Sequence, residues 1–151
     1  IVPVMMENLL LVGPASANLR LDTPVSFESL AEQPLVLPSA RHSLRVILDD
    51  CARELGIKLK TSVEADSFGA MIALVCNGFG LTALPLASIY AQIEAGVLSA
   101  APLVDPIPMR KLVKGFPADR RVSPAAKFVG DAFIEIAADL VNRKIWAGHM
   151  L

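Results

Sequence analysis

The sequence predicts an α/β fold, and three observations carry that prediction. Short apolar runs bounded by proline or glycine alternate with longer stretches whose apolar residues recur at helical spacing. Glycines stand where the helical stretches end. The composition, 54% hydrophobic and 19% charged over 151 residues, suits one ordinary domain with a substantial core. A mean hydropathy of +0.53 is high for such a chain and suggests a surface normally covered by something else.

Along the chain, Leu9-Leu10-Leu11-Val12 before Gly13-Pro14 reads as a short buried strand ending in a turn. Residues 20–26 are polar, contain Pro24 and read as a loop; Phe27-Glu28-Ser29-Leu30 is one helical turn. Pro34-Leu35-Val36-Leu37-Pro38 is a second buried strand, bounded by its prolines. The period then switches. Leu44, Ile47, Leu48, Cys51 and Leu55 share a helix face, with Ser43 at the N-cap and Gly56 at the C′ position.

Residues 57–63 alternate apolar and polar, as a half-buried strand does. Asp66 or Ser67 caps a second helix carrying Met71, Ile72, Leu74 and Val75, which stops at Gly78. Gly80-Leu81-Thr82-Ala83-Leu84-Pro85 is a strand ended by proline, and residues 86–95 form a shorter helix closed by Gly96. Val97-Leu98 and residues 109–113 are strands around a proline-rich segment, 102–108. The strongest helix signal comes last. Ser123-Pro124 is an N-cap followed by proline at N1, and Phe128, Val129, Ala132, Phe133, Ile136, Leu140 and Val141 form one apolar stripe. Arg143 and Lys144 complement its C-terminal dipole. Strands alternating with helices imply parallel pairing.

Several function classes are disfavoured. A net charge of −1 gives no basic footprint for nucleic acid, and no apolar stretch approaches the roughly 18 residues of a membrane span. No nucleophile elbow, phosphate loop or zinc-protease helix motif occurs. Gly78-Phe79-Gly80 lacks a third glycine and precedes a strand, so a dinucleotide reading fails on context. His42 and His149 lie far apart in sequence without a Cys-x-x-Cys, which argues against a metal site. Cys51 and Cys76 read as packed small hydrophobes. Ile1 and the residues after it lack a secretory-signal pattern, so the chain reads as a piece with a trimmed N-terminus.

Two strand-to-helix junctions are candidate ligand crevices. Pro38-Ser39-Ala40-Arg41-His42-Ser43 offers free N–H groups, two hydroxyls and Arg41 to a carboxylate, sulfate or phosphate; it would equally serve as an ordinary capped turn. Glu64-Ala65-Asp66-Ser67 is a second junction, or a plain N-cap. Thr82 can reach a ligand by its hydroxyl, or hydrogen-bond only within its sheet.

In order and spacing these segments resemble the effector-binding domain of LysR-type transcriptional regulators. The carrying residues are Glu7-Asn8-Leu9-Leu10-Leu11-Val12, residues 25–38, the helix 44–56, and Glu64-Ala65-Asp66-Ser67. Leu74-Val75-Cys76-Asn77-Gly78-Phe79-Gly80-Leu81 and Leu84-Pro85 follow, and the match extends to about Leu140. Leu37-Pro38-Ser39 before an Arg-bearing helix leans toward the nitrogen-assimilation-control branch.

The resemblance implies two Rossmann-like lobes of the type II periplasmic-binding-protein kind, with a small effector between them, which the Ser39–Ser43 junction would suit if it is anionic. Residues 1–24 would be a later part of an incomplete first lobe, 25–84 the second lobe, and 85–151 a return to the first lobe with the C-terminal helix. Effector contacts would fall on Ser39, Ser43, Leu44, Asp66, Ser67 and Thr82, with no metal, no cofactor and no catalysis. The resemblance further implies a cytoplasmic bacterial homo-oligomer that touches DNA only through an N-terminal domain outside these residues, and no membrane. A solute-binding module of a transport system and a small cofactor-free α/β enzyme are the alternative readings.

Overall fold

In the computed structural model, which describes residues 1–151, one long strand runs through the molecule and divides it. This strand, β1 (Val2–Pro14), is far longer than the four residues expected from its apolar run. The other elements are β2 (Val25–Ser26), β3 (Pro34–Leu37), α1 (Ser43–Glu54), β4 (Lys60–Glu64), α2 (Phe68–Cys76), β5 (Thr82–Pro85), α3 (Tyr90–Glu94), β6 (Leu98–Val104), β7 (Met109–Lys114), α4 (Pro124–Asn142) and β8 (Gly148–Met150). Short 3-10 turns cover Phe27–Glu32 and Leu86–Ser88.

Pairing is mixed, which corrects the all-parallel expectation. The later half of β1 is flanked by β5 and β6, its earlier half by β7 and β8, and all four are antiparallel to it. Parallel pairing is confined to β2 with β6, β3 with β4, and a bridge from Leu35 to Leu81. Thus β1 is the reversed strand in an otherwise parallel set. Strand–helix alternation could not reveal this, because β1 precedes every helix and has no crossover of its own.

Two apolar clusters follow from this layout. The larger joins Leu9–Val12 of β1 to β3, α1, α2, β5 and β6, and contains Phe27, Leu48, Met71 and Leu84. The smaller comprises Val4, Met5 and Ala137, flanked by Leu112, Ile134, Val141 and Trp146. Gly80 (φ +149) lets β5 start against β3: a Cβ there would stand 2.6 Å from the Pro34 carbonyl oxygen. The Val36 N–H donates to Leu81 O at 2.8 Å, and the Leu81 N–H to Pro34 O at 2.9 Å.

Other local expectations shift. β6 runs through Pro102 instead of ending near Leu98; the β2 ladder begins at Leu103, so no strand on that side asks Pro102 for a donor. The helix expected over 86–95 divides into a 3-10 turn and α3. Cys51 is half-buried, but Cys76 is exposed and not a packed residue.

The largest correction concerns α4. Its cap is as expected, Ser123 Oγ accepting from the Ala126 N–H at 3.1 Å. The apolar stripe, however, does not face the sheet: Phe128 is 73% and Ile136 59% exposed. The helix instead packs by Gly130, Ile134, Ala137 and Val141. Small residues at 130 and 137 allow close approach; a Cβ on Gly130 would meet the side chains of Lys114 and Phe116 at 3.0 and 3.1 Å.

Candidate functional site

The two strand-to-helix junctions meet. β3 and β4 run parallel, so their carboxyl ends deliver the loops at Pro38 and Ala65 to the same side. There the Ser39 N–H donates to Asp66 Oδ1 at 2.8 Å, and the Ala65 N–H donates to Leu37 O at 3.0 Å. The rings of His42 and Phe68 lie 6.4 Å apart, bringing the starts of α1 and α2 together.

Ser43 is the first residue of α1 and not its cap. His42 holds the cap position, its backbone still extended, and its Nδ1 accepts from the Leu44 N–H at 3.2 Å. Serine is the commoner cap, but the last extended residue decides the role. Ser43 therefore keeps an exposed side chain free of the capping bond. Leu44 is fully buried in the core, so only its already-occupied N–H faces the junction. Ser67 caps α2, its Oγ accepting from the Ala70 N–H at 3.2 Å.

Asp66 is exposed and anionic. The backbone N–H of Ser39, then its hydroxyl, with His42 and Arg41 nearby, holds its carboxyl below the ordinary carboxylate range. Arg45, absent from the sequence candidates, donates from Nη1 to Pro38 O at 3.0 Å and pairs with Asp49 at 3.0 Å. Its i,i+4 acidic partner was a readable signal; its reach back to Pro38 was not. Thr82, 1% exposed, lies on β5 beside Val12 of β1. Its Oγ1 is buried and has no hydrogen-bond partner, so the sheet does not satisfy it.

A reversed long strand between two apolar clusters, with helix starts gathered at the carboxyl ends of parallel strands, defines a ligand-binding α/β protein of the type II periplasmic-binding-protein kind. Residues 1–138 match the LysR substrate binding domain, and the chain belongs to that family. It is an effector-binding domain of LysR-type transcriptional regulators. It is 34% identical over 103 residues to the HTH-type transcriptional regulator BbuR of Bordetella bronchiseptica, which covers 68% of this chain and 32% of that protein. The chain thus spans about a third of that relative's length.

Among solved structures, it superposes on the effector binding domain of QuiR in complex with shikimate with a TM-score of 0.69 at 20% identity, covering 88% of this chain and 62% of that one. It superposes on the Synechocystis PCC6803 CcmR regulatory domain in complex with 2-PG with a TM-score of 0.73 at 13% identity, covering 89% and 64%. These likenesses show the type II periplasmic-binding-protein-like α/β fold. No helix is long and apolar enough to cross a membrane.

Proposed function

We propose that this chain is the sensing part of a cytoplasmic, homo-oligomeric transcription regulator, binding a small anionic metabolite without catalysis and contacting DNA through a separate N-terminal domain. The observation that carries the anionic reading is the Ser39–Asp66 junction: a carboxylate already sits on a backbone N–H beside the start of α1. Ser39, Ser43, Asp66 and Ser67 would form one wall of the effector cleft, Leu44 contributing backbone only. Thr82, with its unpartnered hydroxyl, would be a further contact.

The lobes of this reading follow the apolar clusters. The outline 1–24, 25–84 and 85–151 is redrawn on that basis, with Leu9–Val12, the segment from Leu86 through α3, and β6 assigned to the second lobe because their side chains lie in its core. The Leu37-Pro38-Ser39 run supports the nitrogen-assimilation-control branch within the family.

Calorimetric titration of the full-length protein with shikimate, phosphate and related small anions tests the reading. Wild type should bind at least one of them, and Ser43→Ala should bind it about tenfold more weakly, the loss of one hydrogen bond to a charged group. Equal affinity of both forms for every anion bound removes Ser43 from the site; binding of neutral analogues alone overturns the anionic assignment.

A further inference from the structure

The net charge of −1 conceals a segregation of charge along the chain. Residues 109–127 hold six cations, Arg110, Lys111, Lys114, Arg120, Arg121 and Lys127, against one carboxylate, Asp119. The remaining residues hold eight cations against fourteen carboxylates. Charge on a surface is screened within about 10 Å at 0.1 M salt, so a partner meets the local excess and not the sum.

Two of the six are neutralised within the fold. Arg110 pairs with buried Glu7, and Lys114 Nζ donates to Asp131 Oδ1 at 2.8 Å. Lys111, Arg120, Arg121 and Lys127 make no ion pair, and neither does Asp119. Both arginines lie on the irregular segment between β7 and α4, where residues 115–123 are all exposed.

The entry of this segment into α4 gathers three of the free cations. Phe116, Arg120, Arg121 and Ser123 line a common recess. Lys127 stands one helical turn above Ser123, whose carbonyl accepts its N–H at 3.0 Å. Asp131, one turn further along α4, is already held by Lys114. The result is an open strip of cations. Its match is a polymer with closely and regularly spaced anions. Duplex DNA carries one negative charge per about 1.7 Å of its axis, and the planar arginine fork fits phosphate oxygens.

We propose that Arg120, Arg121 and Lys127 make a sequence-independent contact with the DNA phosphate backbone, additional to that of the N-terminal domain. The contact reads no bases; it holds the effector-binding domain against the duplex. Its role rests on the regulator reading above, because a domain already on DNA makes a weak second contact effectively intramolecular. The contact itself belongs to these 151 residues and needs neither that domain nor an effector.

Fluorescence anisotropy of labelled DNA duplexes, titrated with the 151-residue chain at low salt, tests the proposal. Duplexes of unrelated sequence should bind equally. The logarithm of affinity should fall against that of salt with a slope of about −2.7, or about −0.9 per cation. Arg120→Ala with Arg121→Ala should bring the slope to about −0.9 and weaken binding about tenfold or more. Arg120→Lys with Arg121→Lys should restore most of the binding. Lys58→Ala with Lys60→Ala, exposed cations outside the strip, should change neither slope nor affinity. Poly-glutamate should compete about tenfold more weakly than unlabelled duplex of equal total charge, its charges being more widely spaced. No binding at low salt, an unchanged slope in the double alanine variant, or a lysine pair no better than alanine would each overturn the proposal. So would an equal loss in the Lys58 and Lys60 variant, or poly-glutamate competing as well as DNA, which would point to an acidic protein.

Discussion

Asp66 Oδ1 accepts the Ser39 N–H across 2.8 Å, joining two loops 27 residues apart in sequence. The bond makes one site of two junctions that are separately unremarkable. It also means that an anion arriving at the start of α1 competes with a carboxylate of the protein itself.

The junction should be pH-dependent in a defined direction. Asp66 has its folded pKa lowered, so the stabilisation it contributes is present above the ordinary carboxylate value, about 3.9, and is lost as pH falls through the lowered one. In a carbon-detected titration the Asp66 carboxyl should have its midpoint below about 3.9, and the Ser39 amide should shift with the same midpoint. An Asp66 midpoint at or above the ordinary value would show that the bond does not persist in solution.

Glu7 should be among the most sensitive positions for stability. It is buried, paired to Arg110, and accepts from Trp146. Glu7→Ala leaves a largely buried guanidinium without its partner and should cost about 3–5 kcal/mol in urea unfolding. Glu7→Gln keeps an acceptor for the Trp146 indole and should cost less. Equal losses would show that charge alone matters there.

Gly80→Ala should cost at least about 2 kcal/mol, because its φ is one that other residues rarely adopt and its Cβ would press on the Pro34 carbonyl. The damage should be local. Amide exchange of Val36 and Leu81, which donate across that contact, should accelerate more than exchange in β7.

The outer face of α4 should drive self-association of this chain. Phe128, Val129, Phe133 and Ile136 are all exposed on it, and a net charge of −1 opposes association little. Sedimentation velocity at micromolar concentration should show dimers or larger species, shifted toward monomer by Phe128→Lys with Ile136→Lys. A folded monomer at every concentration would contradict this. By the same exposure, Phe133→Ala should cost only about 1 kcal/mol, whereas Leu84→Ala, fully buried, should cost about 2–5 kcal/mol.

Local physics made much of this protein legible from its residues. Proline at either end of Leu35-Val36-Leu37 bounds β3, Ser123-Pro124 starts α4, and Gly56 (φ +66) closes α1, because each acts on backbone angles within a few residues of itself. The order Glu64-Ala65-Asp66-Ser67, then Gly78 to Pro85, was enough for the family. Tertiary structure alone decided the rest. The reversal of β1, the turn of α4 that exposes Phe128 and buries Ala137, and the meeting of Ser39 with Asp66 all depend on partners far along the chain. Periodicity shows that a helix has an apolar face; which face is buried depends on where small residues such as Gly130 and Ala137 let another element come close.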